Sequence, residues 1–229
     1  MAQDTSPSRR GVCVVFVGGT APTSEIYRSA IDDLKAPICV VAADSGADHA
    51  RKLGLRVDLA VGDFDSASEA TQSWLHRTGA EIHPHPPHKD QSDLELAMEA
   101  SLEKGPAAMY VLGLGGGRPD HALLNLMVLC DERWQAAPVF GEADGCWITV
   151  VRGERGLEGE LGSVVSLLAV GGPATVSTDG LLFGLEGEEL SPTSARGLSN
   201  VITRSPASID VTSGVVLTLQ PGMGRLSSV

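Results

Sequence analysis

Aromatic side chains are scarce in this chain. They make up 4% of its 229 residues, so the core must be built mainly from Val, Leu, Ala and Ile. Bases are also few: 17 Lys and Arg stand against 29 Asp and Glu, for a net charge of −12. That balance argues against nucleic acid or an anionic membrane as a main partner, since both need basic faces. The four cysteines, Cys13, Cys39, Cys130 and Cys146, form no C-x-x-C pair, and free thiols in a reducing compartment are expected instead of disulfides. After the polar start "MAQDTSPSRRG" the first apolar run has six residues, too short to cross a membrane, and no signal-peptide cleavage site stands out. A cytoplasmic protein is the expectation. No stretch matches GxxxxGK[ST], and no Ser/His/Asp nucleophile set is evident, so any phosphate binding uses another scheme.

What is present has two grammars. From Val12 to Trp134, continuous apolar runs alternate with helix-like segments. "VCVVFV" is followed by a helix over about Thr23 to Leu34, then "ICVVAA", "ADHARKLG", "DLAVG", "SASEATQSWLHRTG", "EIH", "SDLELAMEASLEKG", "AMYVLGL" and "PDHALLNLMVLCDERW". Unalternated strands spaced by helices predict a mainly parallel sheet covered on both faces, a doubly wound Rossmann-like α/β fold with ligands at the carboxyl ends of its strands. Around Pro138 to Gly145 the helical periods stop. The short runs "CWITVV", "SVVSLLAV", "ATVST", "GLLFGL", "SNVITRS", "SIDVTS" and "VVLTLQ" predict a small antiparallel β-sandwich. The expected organisation is a disordered tail over 1–10, an α/β domain over 11–142, a β-sandwich domain over 143–222 and a tail over 223–229.

The acids fall at strand and helix ends. Asp44 follows one strand, Asp63 and Asp65 another; Asp90 and Asp93 precede or open a helix in "KDQSDLE", and Asp120 opens one in "GGGRPDH". All are expected at one edge of one sheet. A hard divalent cation takes oxygen ligands, and in an extended stretch Asp63 and Asp65 would point to the same side. Each acid also has a structural reading, as a turn or helix-start residue; Ser66 with Glu69 and Ser92 with Glu95 have capping-box spacing. In "GLGGGRPDH" the amides of Gly116 and Gly117 can approach phosphate, Arg118 adds a forked cation, and Pro119 suits a first helical turn. In "HPHPPHK" the histidines read as a solvated connection in preference to a metal cluster. Lys89 either reaches phosphate or is simply exposed.

These blocks resemble the thiamine pyrophosphokinase family. "ADSGADHARKLGLRVDLAVGDFDS" is similar to its "DGGAN…PD…GDFDS", "KDQSDLELAM" to its "KDxTDxExAL", and "GGRPDHALLNL" to its "GGRxDHxLaN". "GLLFGLEGEEL…GLSNVI" is similar to the stretch with which that family binds thiamine. The resemblance implies an α/β domain followed by a β-sandwich, working as a homodimer whose active site is shared between subunits. It implies Mg²⁺-assisted transfer of the pyrophosphoryl group of ATP to the hydroxyl of thiamine. It places Asp44, Asp63, Asp65, Asp90, Asp93, Arg118, Asp120, His121 and Asn125 on nucleotide and metal positions. Asp44, Asp63, Asp65 and Asp90 form the expected metal set, while Gly46, Lys89, Gly116 and Gly117 join the nucleotide set. Phe183, Ser199 and Asn200 fall on the thiamine stretch, although Phe183 read without the resemblance is plain sandwich core. Asp93 or Asp120 would accept the hydroxyl proton or bind the aminopyrimidine. Ser45, Asp48, Phe183 and Val201 depart from the family pattern. Two alternatives stand beside this reading: a related pyrophosphokinase acting on another alcohol, such as a hydroxymethylpterin, and a non-catalytic nucleotide or thiamine sensor.

Overall fold

The structure is a computed structural model, and it describes residues 11–23, 27, 38–86 and 90–222. Six parallel strands carry the first part: β1 (Val12–Phe16), β2 (Ile38–Ala43), β3 (Leu59–Gly62), β4 (Glu81–Pro84), β5 (Ala108–Leu112) and β6 (Val139–Ala143). Their order is β6-β5-β1-β2-β3-β4. Helices α1 (Gly46–Lys52), α2 (Glu69–Thr78), α3 (Asp93–Glu103) and α4 (Pro119–Leu129) connect them. The expected helix of Thr23 to Leu34 lies largely outside the described residues, as do Lys89 and both tails.

Both faces of the inner strands are covered, which is why β1, β3 and β5 read as unbroken apolar runs, while the edge strand β4 is largely exposed. Val12, Val14 and Phe16 pack with Ala47 and Ala50 of α1 and Leu75 of α2. Cys13, Val15 and Val17 face the other way, against Leu94, Ala97 and Met98 of α3 and Leu129 of α4. The chain runs outward from β1 to β4, then returns to the other side of β1 for β5. The loops after β1 and β5 lie side by side at the carboxyl ends of the strands, and the cleft opens between them and the ends of β2 and β3.

Helix ends follow local chemistry. Ser92 and Glu95 form the expected capping box on α3. The spacing of Ser66 and Glu69 does not make a box: Ser68 caps α2, its hydroxyl accepting from the Thr71 N–H, and Glu69 is the first helical residue. The segment read as one helix from Pro119 to Trp134 breaks at Cys130. There Asp131 accepts from the Arg133 N–H and starts a short 3-10 turn, Glu132–Trp134.

The second part is not a separate layer. Strand β7 (Cys146–Val151) pairs antiparallel with β6. The sheet then continues through β14 (Val216–Pro221), β9 (Val164–Ala169) and β12 (Asn200–Val201) into one ten-stranded sheet. A four-stranded antiparallel sheet covers its far end, in the order β11 (Glu188–Leu190), β10 (Ala174–Asp179), β13 (Ala207–Ser213), β8 (Glu154–Leu157). Val151, Val165, Leu167, Val176, Ile209 and Val216 fill the space between the two sheets. The second part is therefore antiparallel and β-rich, with one of its two sheets an extension of the parallel one. "GLLFGL" is not a strand; its only ladder contact is the bridge of Leu181 to Ile202. Within "SNVITRS" only Asn200–Val201 is strand. Strands β6, β8 and β11 lie outside the expected runs.

Candidate active site

A cleft of about 740 Å³ opens at the crevice. One wall carries Asp44, Asp63 and Asp93, whose carboxylate oxygens lie within 4.8 Å of one another. Each arrives from a different element: Asp44 from the end of β2, Asp63 from the end of β3 and Asp93 as the first residue of α3. Asp44 sits in the left-handed region, φ 47. Its Oδ1 is buried without a hydrogen-bond partner. Burial raises the Asp44 pKa, and the neighbouring carboxylates of Asp93 and Asp63 push the same way. Close approach is permitted by Gly62, where a Cβ would stand 3.2 Å from both Asp44 Cβ and Asp93 Oδ1. A buried acceptor without a donor, beside two more carboxylates, fits a hard cation better than it fits an empty turn.

The expected metal set is placed differently. Asp93, assigned to the nucleotide and catalytic set, joins the acid group, while Asp65 and Asp90 are exposed and lie outside both the group and the cleft lining. The argument that Asp63 and Asp65 share a side required extended backbone, but Phe64 between them has φ 60, which turns Asp65 away. Its carboxylate accepts from the Ser66 hydroxyl at 2.9 Å.

The opposite wall is built from the loops after β1 and β5 and the start of α4. Gly19 passes so close to the second loop that a Cβ there would stand 2.0 Å from the Gly115 carbonyl oxygen. Gly116, Gly117, Arg118, His121 and Asn125 all line the cleft. The Asn125 amide donates to the Leu114 carbonyl at 3.1 Å and ties α4 to the loop. Arg118 forms a forked pair with Asp120, at 2.6 and 3.2 Å, on the surface. The guanidinium holds the Asp120 carboxyl down to about 2. Asp120 itself is not in the lining. Gly46 lies beneath the cleft, and its need for glycine is packing: a Cβ would stand 2.0 Å from the Phe16 carbonyl oxygen.

Sequence reasoning did not single out Thr20, Gln91 or Asp144. Thr20 donates to Asp144 Oδ1 at 2.6 Å, and the Gly116 N–H donates to Asp144 Oδ2 at 3.1 Å. One carboxylate from the β6–β7 turn thus clamps both glycine loops. The Gly18-Gly19 pair after β1 was the available signal for this wall; Asp144 shows in the sequence only as part of an Asp-Gly turn.

Phe183, Ser199 and Asn200 lie away from the cleft. Phe183 is half exposed, at 52%, and so is not core. Asn200 is buried, and its side chain is spent on the backbone of Phe183: Oδ1 accepts the Phe183 N–H at 3.0 Å and Nδ2 donates to the Phe183 carbonyl at 2.8 Å. Ser199 is exposed with φ 54, and its N–H donates to Ser166 Oγ. Asn200 on β12 is seven strand spacings from β2, about 34 Å along the sheet.

Two family models match the chain: "Thiamin pyrophosphokinase, catalytic domain" over residues 33–140 and "Thiamin pyrophosphokinase, vitamin B1 binding domain" over residues 149–216. Among curated proteins, thiamine pyrophosphokinase of Bacillus subtilis (strain 168) is 35% identical over 89 residues, spanning 39% of this chain and 42% of that protein. Thiamine pyrophosphokinase 1 of Oryza sativa subsp. japonica is 26% identical over 183 residues, spanning 73% of this chain and 67% of that one. Among solved structures, thiamine pyrophosphokinase from Bacillus subtilis superposes with a TM-score of 0.78 at 21% identity, covering 93% of this chain and 100% of that one. A thiamin pyrophosphokinase family protein from Enterococcus faecalis gives 0.74 at 25% identity, with 92% and 98% covered.

Proposed function

This chain belongs to the thiamin pyrophosphokinase family, and from that premise we propose that it transfers the pyrophosphoryl group of ATP to the hydroxyl of thiamine, giving thiamine diphosphate and AMP. The observation that carries the reading is the convergence of Asp44, Asp63 and Asp93 across a cleft from two glycine loops and Arg118. An all-oxygen donor set with an unsatisfied buried oxygen fits Mg²⁺. When bound there, the ion would neutralise and orient phosphate oxygens. The three aspartates hold that charge in place, and the pairing of β2, β3 and the capped α3 keeps them converged. Arg118 and the start of α4 supply positive charge to the phosphates from the other wall. Pyrophosphoryl transfer asks mostly for positioning and charge neutralisation. A carboxylate held as low as Asp120 is a weak base, which argues against it as the acceptor of the alcohol proton.

The vitamin B1 binding match of the second part favours thiamine over a pterin alcohol. Phe183, held by Asn200 and open to solvent, offers its ring face to the thiazolium cation. A single copy separates that ring from the acids by the width of the sheet. The active form is therefore a homodimer, in which the thiamine stretch of one copy completes the acid cleft of the other. Exposed apolar side chains support it on both parts: Leu123, Leu124 and Met127 on α4, and Leu182, Phe183 and Leu198 on the sandwich. The doubly wound, Rossmann-like reading of 11–142 and the sandwich reading of 143–222 belong to the same proposal. So does a cytoplasmic location without nucleic-acid or membrane partners. The four free cysteines and the net charge of −12 support the last point, and among the described residues no helix is long and apolar enough to cross a membrane.

Protein mixed with ATP, Mg²⁺ and thiamine should yield AMP and thiamine diphosphate by mass. Asp63→Asn should abolish both while the protein stays folded. Tight thiamine diphosphate binding with no AMP would overturn the catalytic reading in favour of a sensor, and turnover of a pterin alcohol in place of thiamine would overturn the substrate.

A further inference from the structure

We propose that Arg133 is a positioning residue for the acid cluster, acting through the residues that lead into α3. The proposal rests on the metal-binding reading of Asp44, Asp63 and Asp93. Arg133 lies in the turn after α4, far along the chain from those acids, yet its fork closes on the helix that carries one of them. Arg133 Nη2 meets Glu95 Oε1 at 2.7 Å, and Nη1 meets Glu99 Oε1 at 2.8 Å. Each of these carboxylates in turn holds a residue of the cleft wall. Glu95 Oε2 accepts from both the N–H and the hydroxyl of Ser92, at 2.9 Å each. Glu99 Oε1 accepts from the Gln91 side-chain amide at 2.6 Å. Gln91, Ser92 and Asp93 are consecutive and all line the cleft. One guanidinium therefore fixes the wall residues on the N-terminal side of Asp93.

The arginine is itself anchored. Asp131 Oδ2 takes a further bond from Nη2 at 3.0 Å, and the guanidinium carbon stands 4.7 Å from the centre of the Trp134 ring. Trp134 is buried, and its indole N–H donates to the Val128 carbonyl at 2.7 Å. The 3-10 turn that interrupts the expected long helix after α4 is what carries Arg133 to this place. A mere stabiliser of α3 would need only one of these acids. The pairing of two, each joined to a different cleft residue, points to control of the geometry at Asp93. Groups that orient a metal's ligands typically carry about 10- to 100-fold in metal affinity, and Arg133 acts one step further out, so about tenfold is expected.

The test titrates the full chain with Mn²⁺, read by electron paramagnetic resonance, alongside its melting temperature. Arg133→Met keeps the stem over Trp134 and removes the fork. It should weaken Mn²⁺ binding about tenfold and lower kcat with the KM for thiamine unchanged; Arg133→Lys should recover part of the affinity. Glu95→Gln, which keeps the cap acceptor but drops the charge, should weaken Mn²⁺ binding in the same direction and serves if Arg133→Met does not fold. Asp63→Asn separates the two levels. If Asp63→Asn loses Mn²⁺ and folded Arg133→Met binds it within twofold of the parent, the positioning role is overturned, even if the melting temperature falls. If Asp63→Asn binds Mn²⁺ normally, the metal reading falls and this proposal with it.

Discussion

Replacing Asp44 with Asn should stabilise the metal-free protein and destroy its response to metal. Asn is the least disturbing choice, because it is isosteric and, with Asp, is among the few residues that tolerate the left-handed backbone at φ 47. The gain comes from removing a charge that burial disfavours first and that two like charges disfavour further. At the 4.8 Å limit of the cluster, two unit charges repel by about 0.9 kcal/mol in water and about 3.5 kcal/mol at an effective dielectric of about 20. Asp44 has two such neighbours and is partly screened by solvent, so the relief is about 1–3 kcal/mol. A chain of 229 residues unfolds with about 0.5 kcal/mol per degree, which makes this a rise of about 2–6 °C. The sign follows from the raised Asp44 pKa. The folded protein holds that proton more tightly than the unfolded chain, so the destabilisation grows as pH rises from about 3.9 through the folded value. The advantage of the variant should be larger at pH 8 than at pH 5 and vanish near pH 3. Metal offsets that advantage: at 100 times its Kd it adds about 2.7 kcal/mol to the parent and almost nothing to the variant. The assay is differential scanning calorimetry with EDTA and with Mg²⁺ plus a non-hydrolysable ATP analogue. An Asp44→Asn protein that melts lower than the parent in EDTA, or that keeps the metal-induced rise, would refute the reasoning.

Phe183→Ala should raise the KM for thiamine about 2- to 30-fold with the KM for ATP unchanged, the range a cation–π contact carries; steady-state kinetics decide it. Asn200→Ala leaves the Phe183 N–H and carbonyl without partners and should cost about 1–3 kcal/mol in urea unfolding while weakening thiamine more than ATP. Gly19→Ala drives a Cβ into the Gly115 carbonyl and should cost about 1–3 kcal/mol, with nucleotide binding lost by calorimetric titration. Asp120, held down to about 2, is ionised throughout the range from pH 5 to 9, so its replacement by Asn should leave the pH–rate profile there unmoved in position.

Much of the fold is legible because the inner parallel strands β1, β3 and β5 are buried and announce themselves as apolar runs. Val12–Phe16 and Ala108–Leu112 are buried throughout. Strand β6 hid because it contains Gly141 and the buried Glu142 and follows Pro138 directly. The same stretch leads into the second part. Asp144 and Gly145 both have positive φ, 51 and 78, as a two-residue hairpin turn requires. That Asp-Gly pair joins β6 to β7 and carries one sheet across what reads in sequence as a change of domain. At the site, the strand-end acids were legible as a group but not in their division. Phe64 turns Asp65 outward through a left-handed conformation that an Asp-Phe-Asp string does not advertise, and Asp93 enters the cluster because its helix is capped and clamped from the side. The contribution of Arg133 depends on a turn inside an apparent helix, beyond the reach of local pattern.

The central claim is that Asp44, Asp63 and Asp93 together seat the cation that carries the phosphates of ATP. A crystal grown with Mn²⁺ and a non-hydrolysable ATP analogue tests it directly through the anomalous signal of the metal. The account predicts a peak at bonding distance from oxygens of all three aspartates and from the analogue's phosphates. A peak held by Asp65 and Asp90, or one remote from the cleft, would contradict it.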